Sequence, residues 1–312
     1  MKQIKVNMNK YLSMAALALA LLAAGCSKNV APDGEEAAVC FTLETPQIGT
    51  KSVADGQSVN SVRCIAYRDG RLIEHGDVTK TVPMSGGKAT YETRLIIGQT
   101  YKLVFWAEVK GNAHYSFDYQ DAELTVSYAG AGNDESRDAF YKVVEVTVAD
   151  NPAPQTVTLK RPFAQLNYGL SVADKALADA VSPIVKASVK LDDAAYTKMN
   201  LLSGEMSGAG SVSFPSAPVL EEPLMVQAAG ASAPTAYTYL AMNYILVDRE
   251  VSPNTTLTLY DASDAVVATV PVSLVPLQRN YRTNVVGNLI SAPAALNIVV
   301  EPSFENDKNV VK

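Results

Sequence analysis

Histidine is nearly absent from this chain of 312 residues: it occurs twice, as His75 in a Glu-His-Gly turn and His114 in a Gly-Asn-Ala-His segment. Neither stands at metal-ligand spacing from a second histidine or a cysteine, so no metal site is expected and both read as surface loop residues. Cysteine occurs three times, at Cys26, Cys40 and Cys64, too few for a disulfide-dense scaffold. Cys40 and Cys64 each lie in a strand-like run, and the sequence leaves open whether they pair or stay as two buried thiols. The glycine pairs Gly130/Gly132 and Gly208/Gly210 do not lead from a strand into a helix with a third glycine, so they are loop glycines and not phosphate cradles. The acidic loop Asn133-Asp134-Glu135-Ser136-Arg137-Asp138 lacks the glycine and terminal glutamate of a calcium loop and reads as a solvated turn. Basic residues number 26 against 32 acidic, with no basic block, so nucleic acid is not an expected partner. With no catalytic constellation and no cofactor motif, the expectation is a structural or binding protein and not an enzyme.

No apolar run reaches the ~20 residues of a permanent membrane-spanning helix. A shorter one is present at the N-terminus, over residues 11–24, and Lys2, Lys5 and Lys10 precede it. This is the layout of an export signal over residues 1–25. It closes on Leu22-Ala23-Ala24-Gly25-Cys26, which resembles the lipobox read by lipoprotein signal peptidase, with Ala23 where a larger aliphatic is more usual. Cys26 is therefore the expected acylation site. At ~0.8 kcal/mol per buried methylene, two acyl chains hold a protein stably on a membrane. Loss of the signal removes three lysines and no acids, which takes the formal charge from −6 to −9.

Residues 26–38 are small, acidic and aperiodic and read as a flexible tether. Beyond them the dominant signal is period two. Val39, Phe41 and Leu43 alternate with Cys40 and Thr42, and Tyr101, Leu103, Phe105, Ala107 and Val109 with Lys102, Val104, Trp106 and Glu108. About 14 such runs, parted by turn clusters such as Ser85-Gly86-Gly87, fit an all-β chain of two sandwiches at roughly seven strands each. The joint is placed near residues 150–163, where Asp150-Asn151-Pro152-Ala153-Pro154 breaks a strand, giving domains 39–160 and 161–312. Pro271 marks its strand as an edge or a bulged one. Ser171 to Ala180 is the one helical stretch. Trp106 and the tyrosines alternate within strands and read as core before they read as a sugar platform, although the Tyr237 to Tyr244 segment motivates a ligand-binding alternative.

The first strand is the informative feature. Val39, Phe41 and Leu43 present one apolar face, and Gly49-Thr50-Lys51-Ser52 follows with a single basic residue. A trypsin-like cut between Lys51 and Ser52 would free the strand and empty a groove. At ~1.5–3 kcal/mol per buried Val, Leu or Phe, that gap is worth roughly 4–9 kcal/mol, besides a row of unpaired backbone groups. A strand from another molecule would restore both.

These features, with Phe41-Thr42-Leu43, Asp69-Gly70-Arg71-Leu72-Ile73, Leu159-Lys160-Arg161-Pro162-Phe163 and Arg279-Asn280-Tyr281-Arg282-Thr283, resemble the fimbrillins, the pilins of the type V pilus and their outer-membrane lipoprotein relatives. The Arg-Asn-Tyr-Arg-Thr block is the most specific of them. The resemblance implies two transthyretin-like β-sandwich domains, lipid-dependent export to the outer membrane, removal of the first strand, and polymerisation with other pilin subunits by donor-strand insertion; a host or bacterial surface ligand is a further expected partner, in adhesion. Processed pilins usually offer arginine at the cut and this chain offers lysine. The alternative is therefore a permanently lipid-anchored β-sandwich protein, either a pilus anchor or a ligand-binding module.

Overall fold

The computed structural model describes residues 34–46, 56–130, 132–228 and 230–301. In the first half of the chain the strands are β1 (Glu36–Glu44), β2 (Ser61–Arg68), β3 (Arg71–Leu72), β4 (Lys80–Pro83), β5 (Lys88–Ile96), β6 (Thr100–Glu108), β7 (Tyr115–Asp118), β8 (Glu123–Val126), β9 (Phe140–Thr147) and β10 (Gln155–Thr158). The second half opens with β11 (Phe163–Leu170) and the helix α1 (Val172–Asp179). It continues with β12 (Lys186–Ala195), β13 (Lys198–Asn200), β14 (Met206–Ser207), β15 (Gly210–Pro218), β16 (Leu224–Val226) and β17 (Thr235–Leu246). The last strands are β18 (Glu250–Val251), β19 (Thr255–Tyr260), β20 (Val266–Val272), β21 (Leu277–Gln278), β22 (Arg282–Gly287) and β23 (Asn297–Glu301). The described residues are all-β apart from α1 and two single 3₁₀ turns.

The strands outnumber the alternating runs of the sequence because several, such as β3, β14, β18 and β21, are two residues long and too short to carry a period. They assemble into two sandwiches. In the first, the sheet β10-β1-β5 packs on the sheet β3-β2-β6-β9, to which β4 adds through β2. Val39, Phe41, Leu43, Tyr91, Leu103 and Phe105 fill the space between them. In the second, β16-β17-β11-β22-β23 packs on β15-β12-β19-β20 around Leu166, Tyr168, Val189, Leu191, Leu257 and Val285. Pro271 lies on β20, the edge of its sheet, where a missing N–H costs no ladder bond. Ser171 caps α1 by accepting from the Asp174 N–H at 3.1 Å, as its place before an Ala- and Asp-rich run predicts.

A third apolar cluster joins the two halves. Trp106 and Tyr115 from the first half meet Phe163, Met242 and Tyr244 from the second. Phe163 sits 6.2 Å from Trp106 edge-on and 5.6 Å from Tyr115 in a stacked pair, centroid to centroid. The strands at this joint are buried on both faces, and all eight residues of β11 are inaccessible. Strand pairing also crosses the joint, since β8 and β13 are neighbours in the sheet β14-β13-β8-β7. Among the described residues, no helix is long and apolar enough to cross a membrane.

Candidate functional site

β1 is the middle strand of its sheet. It runs antiparallel to β5 in nine residue pairs, Glu36 opposite Ile96 through Glu44 opposite Lys88, and parallel to β10 in four, Phe41 opposite Gln155 through Glu44 opposite Thr158. It starts at Glu36, earlier than the alternation from Val39 predicts, because Ala37 also points inward and is buried. Residues 36–38 thus belong to the strand and not to the tether. Val39, Phe41 and Leu43 keep 3%, 1% and 0% of their surface, so the expected apolar face is fully desolvated. Phe41 lies in an aromatic nest, 5.7 Å from Phe105 and 6.3 Å from Tyr91 between ring centroids. The Tyr91 hydroxyl donates to the Val78 carbonyl at 2.6 Å, which fixes the ring, and burial pushes that hydroxyl's pKa up.

The outward face of β1 is polar and charged. Arg94 on β5 donates to the Glu36 carbonyl at 2.9 Å and to its carboxylate at 3.3 Å, and Lys88 reaches the Glu44 carboxylate at 2.8 Å. Between these pairs Cys40 faces Glu92, with its thiol 3.8 Å from the carboxylate. Cys40 and Cys64 are free thiols. They do not meet because Cys64, on β2, points into the first core, while Cys40 points out of it. Burial pushes the Cys64 thiol up to about 12, against a smaller opposing pull from Lys80. No disulfide therefore ties β1 to the sheet across the core. Cys26, the signal segment 1–25, Lys51 and Ser52 lie outside the described residues.

Several residues behave otherwise than their local sequence predicts. The 133–138 loop is not a solvated turn. Asp138 and Arg137 are buried, and Asp134 caps the 3₁₀ turn Glu135–Arg137 through the Ser136 N–H. His114 is no free surface residue either, since its Nε2 lies 2.8 Å from the Asp134 carboxylate and its side chain is largely covered. Serine hydrogen bonds and His114 outweigh partial burial and hold the Asp134 carboxyl below its usual range. Asn133 reaches into the second half, exchanging backbone and side-chain bonds with Met242. Of the tyrosines in the 237–244 segment, Tyr239 and Tyr244 are buried in the joint and Tyr237 is half-buried, which removes the platform that segment suggested. An open polar groove of about 840 Å³ runs past Asp121, Glu123, Glu205, Asp248 and Arg279 and has no aromatic ring in its lining. Among the described residues, no three His, Cys, Asp or Glu side chains come together as metal ligands.

The Arg279-Asn280-Tyr281-Arg282-Thr283 block meets the Leu159-Lys160-Arg161-Pro162-Phe163 block at the joint. The Arg161 N–H donates to the Asn280 side-chain oxygen at 3.0 Å, and the Asn280 N–H donates to the Phe163 carbonyl at 2.9 Å. Asn280 holds a left-handed backbone, φ +66°, which asparagine tolerates well. The fold and site thus define a class: an all-β protein of two joined sandwiches whose first strand is the centre of a small sheet. The chain belongs to the family of unknown function DUF6562, whose model matches residues 31–311. No curated protein matches it in sequence. Among solved structures it is similar to a fimbrial assembly protein from Parabacteroides distasonis, at 13% identity and TM-score 0.44, over 86% of this chain and 96% of that one. It is also similar to a candidate cell adhesion protein from Bacteroides uniformis, at 9% identity and TM-score 0.49, over 85% and 96%. A third is a candidate polysaccharide binding protein from Bacteroides thetaiotaomicron, at 14% identity and TM-score 0.46, over 85% and 96%.

Proposed function

We propose that the protein is a fimbrillin-like surface subunit, exported as an outer-membrane lipoprotein through Cys26 and assembled with other subunits by exchange of β1 for a strand from a neighbour, in the service of adhesion. The observation that carries this reading is the position of β1, which lies between β5 and β10 with its whole inward face buried. It reaches the rest of the chain through the one connection that contains Lys51. A cut at Lys51 leaves only non-covalent contacts to hold β1. Its departure opens two unpaired strand edges at once and an apolar groove between them, a surface that another strand fits. The buried side chains Val39, Phe41 and Leu43 are worth roughly 4–9 kcal/mol together, so the strand does not leave unaided and exchange requires a competing strand of similar quality. The test is the N-terminal sequence of the protein taken from the cell surface. A start at Ser52, in material that runs as a ladder of multimers, is the expected result. A start at acyl-Cys26 in all surface material overturns the subunit reading in favour of a permanently anchored protein.

A further inference from the structure

The groove that β1 fills has a pattern of its own, written on β5. Along the outward face of β5 stand Lys88, Thr90, Glu92 and Arg94, with a cation near each end and a carboxylate between them. β1 answers this pattern with Glu44 on Lys88, Glu36 on Arg94 and the uncharged Cys40 opposite Glu92. On the inward face the groove has an aromatic pocket where Phe41 meets Tyr91 and Phe105. Tyr91 and Phe105 stand 5.6 Å apart edge-on, a pair that does not involve β1, and Tyr91 is tied to Val78. The Tyr91 ring is thus held by partners outside β1. Phe41 fills the pocket, and the flanking Val39 and Leu43 face Thr93 and Ala89 across the ladder. A strand that slips by one residue turns its apolar face to solvent, and one that slips by two puts its aromatic ring beside the pocket instead of in it.

We propose that this groove selects its strand: it accepts a nine-residue extended segment of another protein molecule that carries an aromatic side chain at the sixth position, acidic side chains at both ends and no acid at the centre. The proposal rests on the strand-exchange reading and adds to it the chemistry of the incoming partner. The pocket sets register, and the charges set partner choice and rate more than affinity.

The experiment uses the full-length protein with a specific protease site replacing residues 47–51, cleaved with both pieces retained. A labelled synthetic peptide with the sequence of residues 34–46 is added in excess at mild urea, and its uptake is followed by fluorescence anisotropy. Moving the ring in the peptide (V39F with F41V) is expected to weaken uptake at least about tenfold, as for an anchor displaced from its pocket. Reversing the end charges (E36K with E44K) is expected to slow it by about three- to tenfold at low salt and less at high salt. The same peptide should recover on protein carrying K88E with R94E. Equal uptake of all three peptides overturns the selectivity and leaves strand exchange standing. No uptake of the native peptide after β1 has been displaced overturns strand exchange itself. In the uncut chain the same pairing is read as stability: E36K with E44K should lower the urea midpoint and K88E with R94E should restore it, and no restoration counts against the charge pattern.

Discussion

Arg161 and Asp138 face each other as a bidentate pair, guanidinium Nε and Nη2 each 2.6 Å from a carboxylate oxygen, and neither side chain is exposed at all. The Arg161 guanidinium also lies 4.3 Å above the Phe140 ring, and the pair sits where the first half of the chain passes into the second. Taking one member away strands the other charge without water. Asp138→Ala and Arg161→Ala are each expected to cost about 3–5 kcal/mol in urea unfolding. The double replacement Arg161→Met with Asp138→Leu should cost much less than the two single changes together, because it leaves no orphaned ion.

The outward half of this architecture was legible in the sequence and the buried packing between the two halves was not, for a physical reason. β1, β12 and β19 each bury one face, so their apolar residues alternate and the period shows. β11 is covered on both faces, so Phe163-Ala164-Gln165-Leu166-Asn167-Tyr168 has no period to read. Its polar members are buried beside residues more than a hundred positions away: Gln165 accepts from Arg282, and Asn167 donates to Asn284. Asp134, Arg137 and Asp138 form a local charged run that looks solvated until His114, Ser127 and Arg161 arrive from other elements. The groove of β1 was half legible: Val39, Phe41 and Leu43 announced its apolar face. The matching cations Lys88 and Arg94 lie on another strand, and only the register of β5 connects them.

Gly169 is a second constraint that only the packing reveals. A Cβ there would stand 2.8 Å from the Tyr237 Cβ and 3.0 Å from side-chain atoms of Leu224 and Val286. The first of these neighbours is fixed to its own backbone and cannot swing away. Gly169→Ala is therefore expected to destabilise by about 1–3 kcal/mol through overpacking. Thermal unfolding of the variant checks it, with Gly210→Ala, where a Cβ meets nothing, as the control for the change in backbone freedom.

Asp261 gives the chain an acid-sensitive turn. Its carboxylate accepts from the Ser263 hydroxyl at 2.7 Å, from the Ala265 N–H at 3.0 Å and from the Ser182 hydroxyl at 3.0 Å. These bonds, the Ser263 hydroxyl foremost, hold the carboxyl down from an ordinary 3.8 to about 2. A depressed carboxyl stabilises the fold above its unfolded value and loses that contribution as pH falls from 3.8 through about 2. A carbon-13 titration of the Asp261 carboxyl should show the low midpoint. In Asp261→Asn the stability profile should lose part of its slope in that interval and keep its shape at neutral pH.

The two thiols report on β1 directly. Cys40 rides on the outer face of the strand and Cys64 lies beneath it in the first core, where burial drives its thiol up to about 12. The thiolate is the nucleophile that attacks a thiol reagent, so Cys64, buried and held as the thiol, should be inert in the intact protein and Cys40 should react ahead of it. Both should be found unlinked by mass spectrometry of the non-reduced protein, and a Cys40–Cys64 bridge would contradict the facing of the two strands. When β1 is cut free and displaced, Cys40 leaves with it and the groove above Cys64 opens. The Cys64 labelling rate should then rise by about tenfold or more while the second sandwich keeps its protection, and it should fall again when a peptide with the sequence of residues 34–46 refills the groove. A rate that does not change on displacement would mean that the first core closes over the gap, leaving no groove for an incoming strand.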